Sequence, residues 1–401
     1  MYIVLICLFA DILTHELLMT NKLTHAVFTL ILLSPLIQAS CEKETSNSTH
    51  LELGTSYNID ASSHSKHEPL INLDESTLTY ISNNIRLHNP SNSRISEVLH
   101  VLRVHGSGYS SPAVQDRLLV DSLLDVRVGI RLFGSPAMVK TRDGIGFSSI
   151  IAKSRPSEYH HDQVLASLGQ LEIPESTNIQ LQNSMGSVKD VLKQSVARFH
   201  LKQKELEWSA IGFSCYLKKS GPYKNKYGES WCFDDLAKEL LSRDFSEASC
   251  GGVHRLEALI SIYFADKRHF LLSKNMRSRV KNMIVGKMTQ AIKSQSPSGY
   301  WTIHWWRNDN SPAPPQSTAF ANSDTGRLLA TSHLAELLMR LPSDLVNQHE
   351  KRNSVERAAN WLVPQLKDLT SEQIQATFCP CSHASAVVLS VSRPRSSPNT
   401  E

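Results

Sequence analysis

The chain has 401 residues, of which 41% are hydrophobic and 20% charged, a globular balance that permits one large domain or two smaller ones. Its 42 basic and 38 acidic residues leave a formal net charge of +4, and no basic stripe runs along the sequence. This even balance argues against a nucleic-acid partner.

The first 40 residues have the pattern of a targeting segment. The uncharged run AVFTLILLSPLI, residues 26–37, follows a short basic region and precedes small residues, as in a secretory signal. It is shorter than the roughly 20 residues of a transmembrane helix. Residues 1–40 are therefore predicted to be a signal peptide or membrane anchor, and the protein to be exported, periplasmic or associated with the membrane or cell envelope. The stretch LIQASC resembles a bacterial lipoprotein signal, which implies lipidation of Cys41, although Gln38 stands where that motif prefers Leu.

Two further segments are predicted to lie outside the folded domain. Residues 41–88 are rich in Ser, Asn, Thr and His and poor in aromatic residues. Such a composition is typical of a flexible polar linker. The last residues, 394–401, are predicted to form a disordered tail.

Between residues 89 and 393, apolar residues recur at helical spacing in one segment after another. One such stripe contains Met276, Val280, Met283, Ile284, Met288, Ala291 and Ile292. Alternating strands are scarce, and GIGFSSIIA, residues 144–152, is the best candidate. About ten helices must pack on one another, so this domain is predicted to be all-α, with a solenoid or a closed ring of antiparallel hairpins as the economical arrangements.

The stretch QSPSGYW, residues 295–301, fits the pattern Q-x-x-x-G-x-W and follows a predicted helix. It resembles the QW repeat of squalene and oxidosqualene cyclases and the related prenyltransferase superfamily, whose shared fold is an α/α toroid. The resemblance implies a toroid over residues 89–393, in which Gln295 and Trp301 tie the end of one helix to the next loop. The cyclases' D-x-D-D motif and the prenyltransferases' Asp-x-Cys zinc pattern do not occur, so terpene cyclisation and prenyl transfer are not implied. The chain is also similar in general look to exported bacterial toroids, which implies no particular activity.

Three predicted helices begin with small residues and a histidine, in CGGVH, LATSH and CPCSH, which contain His254, His333 and His383. Two of them continue with a glutamate three residues later, Glu257 and Glu336, on the same helix face. The inner helices of a toroid run in one direction, so their N-termini gather at one mouth. We therefore expect the three histidines to meet at a central cavity, where the small residues let a backbone or ligand approach.

Converging imidazoles suit two chemistries. Supported by the two glutamates, the three histidines would act as catalytic acids and bases near neutral pH. Alternatively they would bind zinc or another divalent metal with Cys250, Cys381 or a glutamate, although the spacing is not that of a standard zinc motif. A third interpretation gives the histidines no catalytic or metal-binding role, because a His–Glu pair three residues apart on a helix is often a solvated surface pair.

An aromatic cluster, YWTIHWW at residues 300–306, follows the QW-like motif. His304, Trp305 and Trp306 are interpreted as a platform for a sugar or polycyclic ligand. The alternative is a plug of the core, which is favoured for Trp301.

Five cysteines lie beyond residue 41, and this odd number allows one or two disulfides in an oxidising compartment. Two functions remain open. The first is an exported enzyme whose histidine-lined cavity acts on an envelope glycan or a similar small-molecule ligand. The alternative is a non-catalytic envelope module that binds or scaffolds.

Overall fold

The computed structural model describes residues 69–87, 93–147, 160–307 and 318–392, and this part of the chain is mostly helical. The prediction of a mainly α fold is therefore confirmed. The predicted signal or anchor (1–40), the lipidation site Cys41 and the predicted tail (394–401) lie outside the described residues. No helix among the described residues combines the length and the apolar character needed to cross a membrane.

The helices are mostly short in the first half of the described chain and longer in the second. The first half contains α1 (Glu75–Asn84), α2 (Ile95–His105), α3 (Asp121–Leu124), α4 (Val126–Phe133), α5 (Gln163–Gln170), α6 (Val188–Arg198) and α7 (Leu206–Tyr216). The second half contains α8 (Phe233–Ser242), α9 (Val253–His269), α10 (Lys274–Ser294), α11 (Thr318–Ala321), α12 (Asp324–Arg340), α13 (Gln348–Lys367), α14 (Ser371–Ala376) and α15 (Phe378–Ser392).

Short antiparallel ribbons connect several of these helices. The described chain pairs β1 (Ser110–Ser111) with β2 (Arg117–Leu118), β3 (Met138–Lys140) with β4 (Ile145–Phe147), β5 (Asn178–Gln180) with β6 (Met185–Ser187), and β7 (Tyr223–Lys224) with β8 (Ser230–Trp231). The predicted strand at residues 144–152 is β4 in its described part, and it pairs in register with β3 so that Phe147 lies opposite Met138.

The folded part begins earlier than the sequence composition predicts. Helix α1 lies inside the predicted linker 41–88, and its N-cap Asp74 accepts a hydrogen bond from the Thr77 backbone N–H at 2.8 Å. Leu78, Ile81 and Ile85 are buried in the core. The composition of this segment is polar, but its few apolar residues follow helical spacing. One face of the helix is therefore apolar and packs on the domain, which composition alone does not show.

Helix packing links elements that are distant in sequence. Helix α5 packs on α7, α7 on α9, α9 on α12, and α12 on α15, while α2 contacts both α15 and α5. Helices α8, α10 and α13 pack against this first set, α8 and α10 on α9 and α13 on α12. The predicted stripe of α10 is confirmed as its buried face, which contains Met276, Val280, Ile284, Met288 and Ala291.

The QW-like motif holds the end of α10 against two later helices. Gln295 Nε2 donates to the carbonyls of Gly299 at 2.8 Å and Ser354 at 2.9 Å, and Arg357 donates to Gln295 Oε1 at 2.6 Å. Gly299 has φ +97°, and a Cβ there would lie 2.3 Å from the Arg357 carbonyl oxygen. The glutamine therefore connects α10 to α13, and the glycine is required by both its conformation and its packing.

Trp301 fills the core beside this connection, as the plug interpretation predicts. Its side chain is 1% exposed, its Nε1–H donates to the Ala291 carbonyl at 2.6 Å, and its backbone N–H donates to Thr331 Oγ1 at 2.9 Å. One residue thus joins α10 to α12. Membership of the cyclase superfamily stays a prediction.

Replacing the plug should destabilise the domain strongly. We expect Trp301→Ala to lower the free energy of unfolding by about 3–5 kcal/mol, the usual cost of truncating a buried Trp. Trp306→Ala, at a half-buried position five residues away, should cost less than about 2 kcal/mol. Urea denaturation followed by circular dichroism measures both, and equal losses would contradict the plug assignment.

Candidate functional site

The structure brings the three predicted histidines together. The ring centroids of His254 and His333 are 5.5 Å apart, and those of His333 and His383 are 3.7 Å apart in a stacked arrangement. All three side chains are buried. They come from α9, α12 and α15, so three helices that pack on one another meet at this point.

The three histidines do not occupy the same place in their helices, and that part of the prediction is wrong. His254 is the second residue of α9, whereas His333 lies in the middle of α12. Helix α12 begins at Asp324 because Ser323 Oγ accepts the Gly326 backbone N–H at 3.1 Å. The small residues before His333 are therefore helix interior, where they permit close packing rather than a helix start.

Carboxylates fix the orientation of two of the rings. His254 Nδ1 lies 3.0 Å from Glu257 Oε2, and His383 Nδ1 lies 2.5 Å from Glu336 Oε2. An ionised carboxylate only accepts hydrogen bonds, so each Nδ1 carries the proton and each Nε2 presents a lone pair. These are buried pairs, not the solvated surface pairs of the third interpretation. Glu336 bonds across helices to His383 instead of to His333 on its own helix.

The third ring is fixed by a carbonyl. His333 Nδ1 donates to the Leu329 carbonyl oxygen at 2.8 Å, so its Nε2 also presents a lone pair. That Nε2 is buried and makes no hydrogen bond of good geometry among the described residues, although the ring lies close enough to Cys379 to lower the pKa of its thiol. A buried acceptor without a donor is costly, and such an atom suggests a missing ligand.

Two sulfurs lie among these rings. Cys250 precedes α9, Cys379 is the second residue of α15, and their thiol groups hydrogen bond to each other. The donor atoms of Cys250, His254 and His333 lie within 4.8 Å of one another, and so do those of a second triad: His100, Cys379 and His383. We call these six residues the cysteine–histidine centre.

Cys381, the cysteine predicted from CPCSH as a metal ligand, lies outside this centre. Its sulfur is 3.4 Å from Thr377 Oγ1, one turn back along the chain. Cys379 takes the predicted place, because residues two apart on a helix point about 200° apart. The described cysteines are all free, so no disulfide links them in this structure.

Sequence reasoning missed two members of the centre, and only one had a signal. Cys379 stands four residues before His383, just as Cys250 stands four residues before His254. This repeated C-x-x-x-H spacing could have identified Cys379. His100 comes from α2, where its Nδ1 is 3.0 Å from Ser382 Oγ, and nothing in its local sequence marks it.

Burial and hydrogen bonds shape the protonation of the centre. Burial, the neighbouring His333 and Arg103 lower the pKa of His383 to about 4, against the opposing effect of Glu336. Burial also lowers the pKa of His254. A hydrogen bond from the Cys250 thiol and the nearby His100 hold the pKa of Cys379 well below that of an ordinary thiol. These shifts favour neutral rings at His254 and His383 and a thiolate at Cys379.

An ion network behind the histidines neutralises the two glutamates. Arg340 donates to Glu257 Oε1 at 2.7 Å and also to Glu336 Oε1, which Arg103 reaches at 2.9 Å. Gln170 Nε2 donates to Glu257 Oε1 at 2.8 Å. Burial alone would raise the pKa of Glu336, but Arg103 and Arg340 outweigh it and hold that pKa well below its usual range. Two carboxylates and two guanidinium groups balance, so this network supplies no net charge to the Cys379 thiolate.

A cavity of about 270 Å³ opens beside the centre. Both sulfurs and three of the imidazoles line it, and most of the other lining residues belong to α2, α5, α7, α14 and α15. Trp208 forms part of the wall, with its ring 4.5 Å from that of His254.

The predicted aromatic platform lies away from this cavity. His304, Trp305 and Trp306 do not line it. Trp305 is 2% exposed, packs edge-on against Phe245 and donates its Nε1–H to the Gly251 carbonyl at 2.8 Å. Trp305 therefore belongs to the core and does not form a platform beside this cavity.

The two glycines before His254 accommodate protein atoms instead of a ligand. Gly251 and Gly252 have φ +64° and +85°, and a Cβ on them would lie 3.0 Å from the Ile303 carbonyl oxygen and 2.8 Å from that of Phe245. Of the two predicted approaches, by a backbone or by a ligand, the structure shows the backbone. The glycines allow a left-handed turn that brings Cys250 beside the rings.

Comparison of the chain with protein-family models, with curated proteins and with solved structures finds no match. The functional argument therefore depends on the geometry of the site.

The turn before α9 should not tolerate a side chain. We expect Gly252→Ala to lower the free energy of unfolding by about 1–2 kcal/mol or more, because a left-handed conformation is unfavourable for alanine and the Cβ meets Phe245. Gly286→Ala is the matched control in α10, where no atom lies within 4 Å, and it should stabilise by about 0.5–1 kcal/mol. Denaturation curves that shift in the same direction would contradict this account.

Breaking the buried ion network should cost far more than breaking a surface pair. In the presence of a chelator, Glu257→Gln should lower the free energy of unfolding by about 3–5 kcal/mol, because a buried charge loses its partner. The control on the same helix is Lys267→Met, whose partner Asp344 is 42% exposed, and it should cost less than about 1 kcal/mol. A small loss for Glu257→Gln, measured by chemical denaturation, would show that the network contributes little.

Proposed function

We propose that this protein is a zinc-dependent enzyme built on an α/α toroid, with the cysteine–histidine centre as its metal site. The order of helix contacts supports the toroid, since α2, α5, α7, α9, α12 and α15 contact one another in sequence and α15 returns to α2. The cavity supports it as well, because residues from the first turns of α2, α5, α7, α9 and α15 contribute to its lining. The contacts of Gln295 and Trp301 agree with what the QW resemblance implies.

The observation that carries the metal assignment is the convergence of lone pairs. His254, His333 and His383 each have Nδ1 occupied by an acceptor, so three Nε2 lone pairs point into one buried centre with two sulfurs. A bound cation gives every one of these atoms a partner.

The ligand chemistry favours zinc among the cations. Thiolate sulfur and imidazole nitrogen are the donors that zinc prefers, whereas magnesium and calcium require oxygen. Zinc-binding histidines also donate their second N–H to a carboxylate or carbonyl, which orients the ring. Glu257, Glu336 and the Leu329 carbonyl have this role for the three rings.

The surroundings favour a catalytic ion over a structural one. Each triad supplies three protein ligands and so leaves a fourth position, and the cavity lies beside both sulfurs. A zinc ion in such a site activates water, with a pKa near 7, or polarises a carbonyl. The cavity is slightly smaller than the roughly 300–1,000 Å³ of a drug-sized site, so it suits a small molecule or the end of a longer chain. Export and an envelope glycan as substrate stay predictions from residues 1–41.

A metal-free thiol enzyme is the second candidate. Cys379 lies at the N-terminus of α15, and His383, one turn later, is held by Glu336. This order of nucleophile, base and orienting carboxylate is typical of thiol-dependent catalysis. A non-catalytic module would need neither arrangement.

Metal analysis of the purified full-length protein tests the proposal. We expect at least one zinc ion per chain, and a melting temperature that rises with added zinc. The double variant Cys250→Ala/Cys379→Ala should weaken zinc binding by at least about 100-fold, since changes to outer-shell partners alone cost 10–100-fold. The control Cys215→Ala/Cys381→Ala removes the same number of thiols outside the centre and should keep its zinc.

Two results would contradict the zinc assignment. One is a wild-type protein that neither contains zinc nor melts higher when zinc is added. The other is equal zinc in both double variants, with circular dichroism showing that both are folded. Selective alkylation of Cys379 by iodoacetamide in a zinc-free protein would then support the thiol enzyme.

A further inference from the structure

The two sulfurs of the centre are in contact although they are far apart in sequence. Cys250 and Cys379 hydrogen bond through their thiol groups, and both line the cavity. The other described cysteines have different neighbours. Cys232 Sγ lies 3.0 Å from Asp235 Oδ2, and Cys381 is packed against Thr377.

We propose that Cys250 and Cys379 are a redox pair, which a small-molecule disulfide converts into a reversible disulfide bond across the cavity. The contact supplies the geometry, since the two sulfurs lie within hydrogen-bonding reach of each other and line the same cavity. The cavity supplies access for the oxidant. The inference that this bond controls metal binding rests on the proposed zinc function, but formation of the bond itself does not.

The chemistry is a thiol–disulfide exchange in two steps. The Cys379 thiolate attacks one sulfur of the oxidant RSSR, which leaves Cys379 joined to SR and releases RS⁻. The Cys250 thiol, giving its proton to solvent, then attacks the Cys379 sulfur and releases the second RS⁻. Two protein sulfurs are oxidised and one oxidant disulfide is reduced to two thiols.

The bond would remove both sulfur ligands from the centre at once. Neither triad would keep a thiolate, and histidines alone would hold the ion more weakly. Conversely, zinc bound to both sulfurs would shield them from the oxidant. Oxidation and zinc binding should therefore oppose each other at the same atoms, and an added thiol should restore the metal site.

Peptide mapping tests the bond in the full-length protein. Chelator-treated protein is incubated with oxidised glutathione, and trypsin should then give residues 244–255 disulfide-linked to residues 368–395. The second peptide contains Cys379 and Cys381, so the map is repeated with Cys381→Ala and with Cys379→Ala. We expect the link in wild type and Cys381→Ala, and its absence in Cys379→Ala. Zinc added beforehand should slow its formation by at least tenfold.

The outcomes separate this inference from the proposed function. A 250–379 link that forms at the same rate with and without zinc, in a protein that binds no zinc, would support the redox pair and overturn the zinc enzyme. A zinc-binding protein that yields only glutathione adducts, or a link through Cys381, would overturn the redox pair alone. Cys250→Ser gives the same test from the other partner, and circular dichroism shows whether each variant is folded.

Discussion

The arrangement of the helices and of the site depends on two carboxylates that are buried between helices. Glu257 and Glu336 would be very costly in the interior as unpaired charges, so each must be paired and hydrogen bonded. Each solves the problem in the same way. One oxygen accepts from arginine, and the other accepts from a histidine ring. Because that oxygen can only accept, the ring is held in one tautomer, so a demand of folding also determines which nitrogen faces the cavity.

The same hydrogen bonds link the packing of the helices to the geometry of the site. Arg103 belongs to α2, Gln170 to α5, Glu257 to α9 and Arg340 to α12, so one polar network spans helices from both halves of the chain. Apolar packing between such helices is tolerant of sliding, whereas a charge network with fixed distances is not. The network therefore fixes how the helices that carry the histidines pack on one another. Substitution of one of its arginines should alter the geometry of the cysteine–histidine centre.

Sequence periodicity was sufficient where a contact is local. The apolar stripe of α10 and the burial of Trp301 follow from helical spacing and from a short motif. The meeting of the three histidines was predicted from a repeated local context, although the assumed position at a helix start does not hold for His333. The contacts between side chains of different helices depend on which helices pack together, and the spacing of residues along one helix does not predict this packing. The partner of Glu336 is His383 on another helix, and His100 arrives from α2. The glycines before His254 predicted a close approach but not that the backbone of Ile303 and Phe245 would make it.

The charge balance of the centre is what separates the two enzymatic candidates. In a thiol enzyme, a cationic imidazole stabilises the thiolate, and the pair is neutral as a whole. Here burial and neighbouring cations lower the pKa of His383 to about 4, and Arg103 and Arg340 are already matched by the glutamates. A thiolate at Cys379 is stabilised by the hydrogen bond from Cys250 and by the nearby His100, whereas His383 adds little positive charge. A divalent cation would add positive charge beside this sulfur and would engage the imidazole lone pairs at the same time. One ion would thus meet two separate requirements of the same six residues, which a proton shared between sulfur and imidazole would not.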